Sequence, residues 1–300
     1  MDKNRKSLRT PLPLDEKLLQ PSQLKQFIED KNSDSQCHGF KIFEVGWQGL
    51  DSYHQGHIPG AFYLDTNEIE EKPLWNRKSD KELKRVFEKN GMTCDQTMIL
   101  YSKNTMAAAR AAVILMYAGV KDVRLLDGGY PAWVSEGYKI DNIPHFPEPV
   151  NDFGEGMPAC PNYFTSIDKL KSCYDNAETV LSDIRSWQEY IGETSGYSYI
   201  NKRGRIKGAK WGHAGSDAYH LQDYHDKNGK MRHPQQMAGN WKKWGITPDK
   251  QVIFYCGTGW RASVAFFCAY LMGWDNISIF DGGWYEWSSD PALPIETGEP

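Results

Sequence analysis

Short, continuously apolar segments alternate with amphipathic segments along most of the chain. The apolar segments end in turn-forming residues, which is typical of strands buried on both faces. The segments between them place apolar residues at helical spacing, which predicts helices packed on a sheet. The expected strands are 41–45, 97–102 and 123–129 in the first half, and 179–184, 251–256 and 277–283 in the second. This order favours an α/β fold in which a mostly parallel central sheet is flanked by helices.

The same pattern occurs twice along the chain. "LLDGGYPAWVSEG" (125–137) resembles "IFDGGWYEWSSDP" (279–291) at an offset of 154 residues. Upstream, "GHIPGAFYLD" (56–65) resembles "GRIKGAKWGH" (204–213) at an offset of 148. Because the order of the matches is kept, the chain is a duplication of one domain. The growing offset predicts surface insertions in the second copy, the later one being six residues around 224–233.

The repeat also predicts where the chain divides. Residues 1–142 are expected to form the N-terminal domain, 143–161 a linker, and 162–300 the C-terminal domain. The stretch 141–161 contains five prolines and two glycines. Such a composition cannot continue a helix and predicts an extended connector.

"QVIFYCGTGWRASVAF" (251–266) indicates a candidate reactive centre. It places Cys256 at the end of a buried strand, followed by a loop and a helix expected from Ala262. Open α/β sheets bind ligands at the carboxyl ends of their strands, and the first turn of a helix offers free N–H groups to an anion. A thiolate in this position has a lowered pKa and is the reactive form. Ser102 aligns with Cys256 in the first copy, which is therefore expected to be inactive.

Several residues around this thiol are candidates for binding a substrate. Arg185 follows a strand at the same edge, where it would attract an anion, support the loop, or form a surface salt bridge with Asp183 or Glu189. Trp260 either walls the pocket or packs between the domains. The complete expected set is Gly257, Thr258, Gly259, Trp260, Arg261 and Arg185.

Other roles than sulfur chemistry are also compatible with some of these residues. Cys256 could be an inert core residue. A phosphatase of the Cys-x5-Arg kind is disfavoured, because only four residues separate Cys256 from Arg261. Cys268 lies in an apolar helical segment and is expected to pack in the core rather than act as a resolving thiol. Asp127 and Asp281 open equivalent turns in the two copies and are expected to fix those turns.

Taken together, these motifs resemble the two-domain rhodanese sulfurtransferases over roughly residues 20–295. The motifs are "GHIPGA" (56–61), "GRIKGA" (204–209), "DIRSWQEY" (183–190), both "DGG" turns and the cysteine loop. The resemblance implies two tandem rhodanese-like domains, of which the C-terminal one is catalytic. It implies that Cys256 receives a sulfane sulfur as a persulfide and passes it to cyanide or a thiol. It implies neither a metal nor an organic cofactor.

The identity of the sulfur donor is less closely defined. The Gly257-Thr258-Gly259 loop is nearer to that of the members that use 3-mercaptopyruvate. Arg261, however, offers a guanidinium that suits a bidentate oxyanion, so thiosulfate is the favoured donor and 3-mercaptopyruvate the alternative. A non-enzymatic persulfide carrier also stays open, because it needs the same persulfide, and a sulfur-acceptor protein is a candidate partner.

Composition and charge limit the partners and the cellular location that we expect. The 300 residues carry a formal net charge of −4 without a basic field, so no nucleic-acid partner is expected. The longest apolar run, 111–118, is far shorter than the roughly 20 residues of a membrane span, so no membrane partner is expected. The six cysteines lack zinc-site spacing and predict free thiols in a reducing compartment. The N-terminus lacks the pattern of a secretory signal, which favours a cytoplasmic location unless a leader was removed.

Overall fold

A computed structural model describes residues 10–33, 39–47, 49–103, 105–154 and 156–300. The strands of the first domain are β1 (Leu18–Leu19), β2 (Phe40–Gly46), β3 (Phe62–Asp65), β4 (Glu70–Glu71), β5 (Asn76–Arg77), β6 (Thr97–Tyr101) and β7 (Asp122–Leu126). Its helices are α1 (Leu14–Lys17), α2 (Pro21–Ser33), α3 (Asp51–His54), α4 (Thr66–Ile69), α5 (Asp80–Lys89), α6 (Thr105–Ala118) and α7 (Gly129–Ser135).

The second domain begins with a 3-10 helix at Pro161–Tyr163. Its strands are β8 (Phe164–Thr165), β9 (Thr179–Asp183), β10 (Arg205–Ile206), β11 (Lys210–Trp211), β12 (Gln251–Tyr255), β13 (Ile277–Phe280) and β14 (Ile295–Glu296). Its helices are α8 (Ile167–Lys171), α9 (Trp187–Ile191), α10 (Pro234–Lys243), α11 (Trp260–Leu271) and α12 (Gly283–Ser289).

Each domain is built on one parallel sheet. Within the described residues, five strands of the first domain pair in the order β1-β7-β6-β2-β3, and five of the second pair in the order β11-β9-β12-β13-β8. Read from opposite ends the two orders are equivalent, with β6 and β12 at their centres. Both central strands are almost entirely buried, as their continuous apolar sequences require. The predicted α/β class and the duplication are confirmed.

The two domains share a core. Helices α6 and α11, which follow the central strands, pack against each other across the domain boundary, and their buried side chains belong to one apolar cluster. An apolar interface of this kind disfavours independent motion of the two domains. Although both helices are strongly apolar, no described helix is long and apolar enough to cross a membrane.

The connector between the domains is extended but attached to the first domain. The Cys94 amide donates to the Phe153 carbonyl at 2.8 Å, and the Cys160 amide donates to the Tyr117 carbonyl at 3.0 Å. The Phe153 ring is buried against Phe87. These contacts fix the path of the connector, while the proposed boundaries at 142 and 161 stay predictions.

The domains also exchange hairpins. We call 70–77, which contains β4 and β5, the first-domain hairpin, and 225–231, closed by a bridge between its end residues, the second-domain hairpin. The Arg77 amide donates to Asp281 at 2.9 Å, and the Met231 amide donates to Asp127 at 2.8 Å. Both donors and both acceptors are 154 residues apart. The two aspartates therefore receive the hairpin of the opposite domain, a role additional to the expected fixing of their own turns.

This equivalence also corrects the position of one insertion. The offset is already 154 at the hairpins, whereas it is still 148 between β3 and β11. The six additional residues therefore lie in 212–223, upstream of the hairpin, and the prediction of an inserted surface loop at 224–233 is wrong. The sequence comparison missed this because the hairpins share their geometry and little of their sequence.

Candidate active site

The loop that follows β12 carries the predicted thiol. Cys256 is 1% exposed, and its Sγ accepts a hydrogen bond from the Gly259 amide at 3.1 Å. Gly259 has a φ of +100° and is the residue from which α11 starts. The helix therefore begins at Trp260, two residues before the expected Ala262, because a left-handed glycine lets the chain turn directly into it. Trp260 and Arg261 consequently belong to the first helical turn.

Arg261 lies inside the protein, where its charge is paired. Its two terminal nitrogens donate to the Glu189 carboxylate at 2.7 and 2.8 Å, and both side chains are almost completely buried. Burial alone would raise the pKa of Glu189, but the Arg261 guanidinium outweighs it and the pKa is lowered. Arg261 also interacts electrostatically with Cys256. Its charge therefore acts on the thiol from the first turn of α11, while direct contact with a sulfur donor stays a prediction.

Arg185 lies behind the loop rather than on the surface. Its guanidinium donates to both oxygens of Asp183 at 2.8 and 2.6 Å and to the Gly204 carbonyl at 2.7 Å. It also faces the ring of Trp284, whose backbone amide donates to the Cys256 carbonyl at 2.7 Å. These contacts exclude the surface salt bridge. They make Arg185 a support of the strand end that carries the thiol, and its contact with substrate stays a prediction.

Sequence reasoning missed a cluster of tyrosines beside the loop. Tyr197 stacks on Tyr199 with ring centroids 5.2 Å apart, and Tyr219 and Tyr285 contact this pair edge-on. A Cβ on Gly257 would lie 2.3 Å from the Tyr197 ring, so glycine is needed there for close approach. Three of the four tyrosines come from segments outside the quoted motifs, and Tyr285 comes from the repeated segment 279–291, where no role was assigned to it. The available signal was the density of tyrosines in 197–219.

Thr258 and Tyr199 connect the loop to this cluster. Burial raises the pKa of Tyr199 to about 12, and the neighbouring Thr258 side chain acts in the opposite direction. The Tyr197 hydroxyl donates to the Ala218 carbonyl at 3.0 Å. Ala218 belongs to the relocated insertion, so the additional residues of the second domain help to form the site.

The first domain reaches the loop through a buried ionic cluster. The Trp260 indole donates to Glu70 at 2.9 Å, and Arg110 donates to Glu70 and to Asp281 at 2.6 Å each. Arg110 also lies so close to Gly259 that a Cβ there would be 3.1 Å from its guanidinium. Of the two alternatives for Trp260, the structure therefore supports packing between the domains. Burial raises the pKa of Glu70 to about 7, against the opposing effect of Arg110.

The first copy has the same framework without the thiol. Ser102 occupies the place of Cys256, and its carbonyl accepts from Tyr130 as that of Cys256 does from Trp284. The Ser102 side chain is buried, without a hydrogen-bond partner among the described residues. Residues of the second-domain hairpin line the small cavity beside it. The position therefore offers a buried hydroxyl in place of a thiol, and the inactivity of the first domain stays a prediction.

The other cysteines lie outside this centre. Cys268 is fully buried in α11, where burial raises the pKa of its thiol, and its predicted role in core packing is confirmed. The described cysteines are all free, and Cys37 lies outside the described residues.

Comparison with known proteins agrees with this arrangement. The family model of the rhodanese-like domain matches twice, at residues 20–136 and 166–290. The chain belongs to the rhodanese family. A thiosulfate sulfurtransferase of Escherichia coli K12, YnjE, is 47% identical over 96% of this chain and 67% of its own. Its crystal structure superimposes with a TM-score of 0.92, covering 96% of this chain and 70% of the other.

Two further relatives are named for functions other than thiosulfate sulfur transfer. The sulfur carrier protein TtuD of Thermus thermophilus is 30% identical over 86% of this chain and 91% of its own. An anaerobic ergothioneine biosynthesis enzyme of Chlorobium limicola, solved with trimethyl histidine, is 39% identical, with a TM-score of 0.90 over 95% of this chain and 71% of the other. These relationships support a rhodanese-type sulfurtransferase.

Proposed function

We propose that this rhodanese-type sulfurtransferase takes its sulfur from thiosulfate and carries it as a persulfide on Cys256. The Cys256 thiolate attacks the outer sulfur of thiosulfate, the sulfur–sulfur bond of the donor breaks, and sulfite leaves with the bonding electrons. A thiophilic acceptor, cyanide or a thiol, then attacks the outer sulfur of the persulfide and regenerates the thiolate. Every atom is supplied by donor, acceptor and chain, so the reaction needs no cofactor.

One observation carries the proposal. The Gly259 amide, at the start of α11, donates to Cys256 Sγ at 3.1 Å. A hydrogen bond to a charged sulfur is roughly twice as strong as a neutral one, and the helix terminus adds positive potential. Arg261, in the first turn of α11, contributes a further positive charge that acts on the thiol. These features stabilise the negative charge of the persulfide sulfur after transfer.

The donor proposal rests on charge and on relatives. Thiosulfate is an anion that suits a site next to Arg261, and YnjE is a thiosulfate sulfurtransferase by name. 3-Mercaptopyruvate remains the alternative donor. TtuD, named a sulfur carrier, supports the alternative of a carrier that hands its persulfide to a protein. Because Cys256 is buried, we expect the neighbouring tyrosines to move aside when a donor enters.

The decisive experiment is intact-protein mass spectrometry after incubation with thiosulfate. We expect a gain of one sulfur atom on Cys256, which disappears with the release of thiocyanate when cyanide is added. The Cys256→Ser variant should show neither the adduct nor turnover. Rates measured side by side with thiosulfate and 3-mercaptopyruvate identify the donor. Turnover that survives in Cys256→Ser would refute the mechanism.

The tyrosine cluster favours a second candidate acceptor. Four electron-rich rings beside the persulfide position suit a quaternary ammonium group, which aromatic rings bind by cation–π attraction. The ergothioneine enzyme was solved with such a compound, trimethyl histidine. Transfer of sulfur from the persulfide to trimethyl histidine, and its loss in Tyr219→Ala, would support this acceptor. Absence of the thiolated product would leave thiols and cyanide as the acceptors.

A further inference from the structure

A second cluster of chemically versatile side chains lies in the first domain, where its final segment meets the connector. His57, Asp141 and His145 each present a donor atom, and these atoms all lie within 4.8 Å of one another. His57 is fully buried, whereas Asp141 and His145 are 26% and 37% exposed. The cluster belongs to neither the thiol site nor the domain interface.

The geometry of His57 leaves one ring nitrogen without a role. Its Nδ1 lies 2.9 Å from the Tyr53 carbonyl oxygen, which can only accept, so Nδ1 carries the proton. Its Nε2 consequently presents a lone pair. This buried atom has no hydrogen-bond partner of acceptable geometry among the described residues, and the Ile143 backbone is the one further group near the ring that affects its pKa in the manner of a hydrogen bond. A buried lone pair without a donor is rare and calls for a ligand.

The other two members of the cluster are held in place beside it. The backbone groups of His57 and Asp141 exchange hydrogen bonds at 2.8 and 2.9 Å. The Asp141 carboxylate accepts from the Ile143 amide at 2.9 Å and lies 2.8 Å from His145 Nε2. The His145 amide donates to the Tyr53 hydroxyl at 3.2 Å. The backbone therefore positions the three donor groups before any ligand arrives.

In the second domain, a positively charged side chain occupies the position equivalent to His57. Arg205 occupies the position of His57 in "GRIKGA", and its guanidinium stacks on Tyr190 at 4.5 Å as His57 stacks on Tyr53. It also pairs with Glu296, which lies opposite Arg205 in the strand pair as Asp141 lies opposite His57. In the first domain the carboxylate is retained as Asp141, but an imidazole nitrogen of His57 with a free lone pair replaces the guanidinium.

We propose that His57, Asp141 and His145 bind one divalent transition-metal cation of the zinc type. Two imidazole nitrogens and one carboxylate form a ligand set that zinc accepts in a four-coordinate site with water in the open position. Two nitrogen ligands disfavour magnesium and calcium, which prefer oxygen. With bonds of about 2.0–2.2 Å the donor atoms would lie roughly 3.3 Å apart. The more distant atoms, now up to 4.8 Å apart, would have to approach each other, and Asp141 and His145, now 2.8 Å apart, would have to separate slightly. The ion would attach the connector to the first domain.

The test is a zinc titration of the full-length Cys256→Ser protein in competition with a chromophoric chelator, after removal of metals with EDTA. This background removes the thiolate that would otherwise compete for zinc. We expect one zinc ion per chain and a higher unfolding temperature when zinc is present. Cobalt in place of zinc should give the d–d bands of nitrogen and oxygen ligands without a sulfur charge-transfer band.

Variants assign the ligands. His145→Ala and Asp141→Asn should each weaken zinc binding by at least about 100-fold, because loss of a ligand exceeds the 10–100-fold effect of losing a supporting residue. Asp141→Asn keeps the acceptor for the Ile143 amide, so it guards against misfolding. The matched control is His220→Ala, which breaks an exposed His–Asp pair without a third ligand and should bind zinc as the parent does. Unchanged affinity in both ligand variants, stoichiometric binding through sulfur, or no zinc binding would overturn the proposal.

Discussion

Glu189 joins two parts of the site through one carboxylate. It accepts from the amide and hydroxyl of Ser186, which caps α9, and from both terminal nitrogens of Arg261. The sequence suggested that Arg261 would face the donor, but its described hydrogen bonds go to Glu189 and to the Asp217 carbonyl. This pairing favours a role in which Arg261 holds the start of α11 and lends its charge to the thiol from the side.

Replacing Glu189 should therefore cost both stability and activity. Glu189→Gln leaves a buried guanidinium unpaired, and we expect the free energy of unfolding to fall by about 3–5 kcal/mol. Urea unfolding measures this, with Glu178→Gln, at the exposed end of a surface pair with Lys250, as a control that should change little. Because the loop itself is affected, kcat/KM should fall alike with thiosulfate and 3-mercaptopyruvate. A loss confined to thiosulfate would instead indicate that Arg261 binds the donor.

At the scale of elements, the exchanged hairpins are equivalent in geometry but not in charge. Asp281 receives the Arg77 amide and the Arg110 guanidinium, whereas Asp127 receives the Met231 amide and the neutral side chain of Gln20. Burial raises the pKa of Asp127, so a negative charge is less favourable there. Of these two aspartates, only Asp281, which lies next to the reactive loop, is thus part of a buried ion pair.

The matched pair of variants Asp281→Asn and Asp127→Asn tests this difference. Asp281→Asn weakens the pairing of Arg110, which packs against Gly259, and we expect a loss of about 3 kcal/mol in stability together with reduced turnover. Asp127→Asn keeps an acceptor for its amide and should cost less than about 1 kcal/mol, with turnover unchanged. Thermal unfolding and steady-state rates provide both values. Equal effects of the two changes would show that the ionic contact with Arg110 contributes nothing.

The elements that could be predicted were those specified by local pattern. Apolar runs predicted the central strands, and the strand–Cys256–glycine–helix order predicted where the thiol lies, because both depend on neighbouring residues. The start of α11 was misplaced by two residues, since the left-handed conformation of Gly259 is not visible in composition. The tyrosines and Arg110 were missed because only the tertiary fold brings them to the loop.

For the molecule as a whole, Glu70 links the stability of the domain interface to pH. Its pKa in the folded protein is about 7, because burial raises it above its usual range near 4.5. Between these values the folded protein retains a proton that the unfolded chain has lost. This contribution to stability is therefore complete below about pH 4.5 and is lost as the pH rises through 7.

We expect the stability of Glu70→Gln relative to the parent protein to increase between pH 5 and pH 8, by on the order of 1–3 kcal/mol. Urea unfolding of both proteins at several pH values measures the difference, in which the other titrating groups cancel. The opposite slope would mean that Arg110 lowers the pKa of Glu70 more than burial raises it.

The exchanged hairpins constrain how the gene of such a two-domain protein can evolve by recombination. Glu70, Arg77 and Arg110 lie in the half that carries Ser102 in place of the thiol, yet each contacts the half that contains Cys256. Selection for turnover therefore acts on both halves of the coding sequence. A recombinant that joins the first half of one paralogue to the second half of another would separate partners that have adjusted to each other. Chimeras of this family should function only when the hairpins and their receiving aspartates are inherited together.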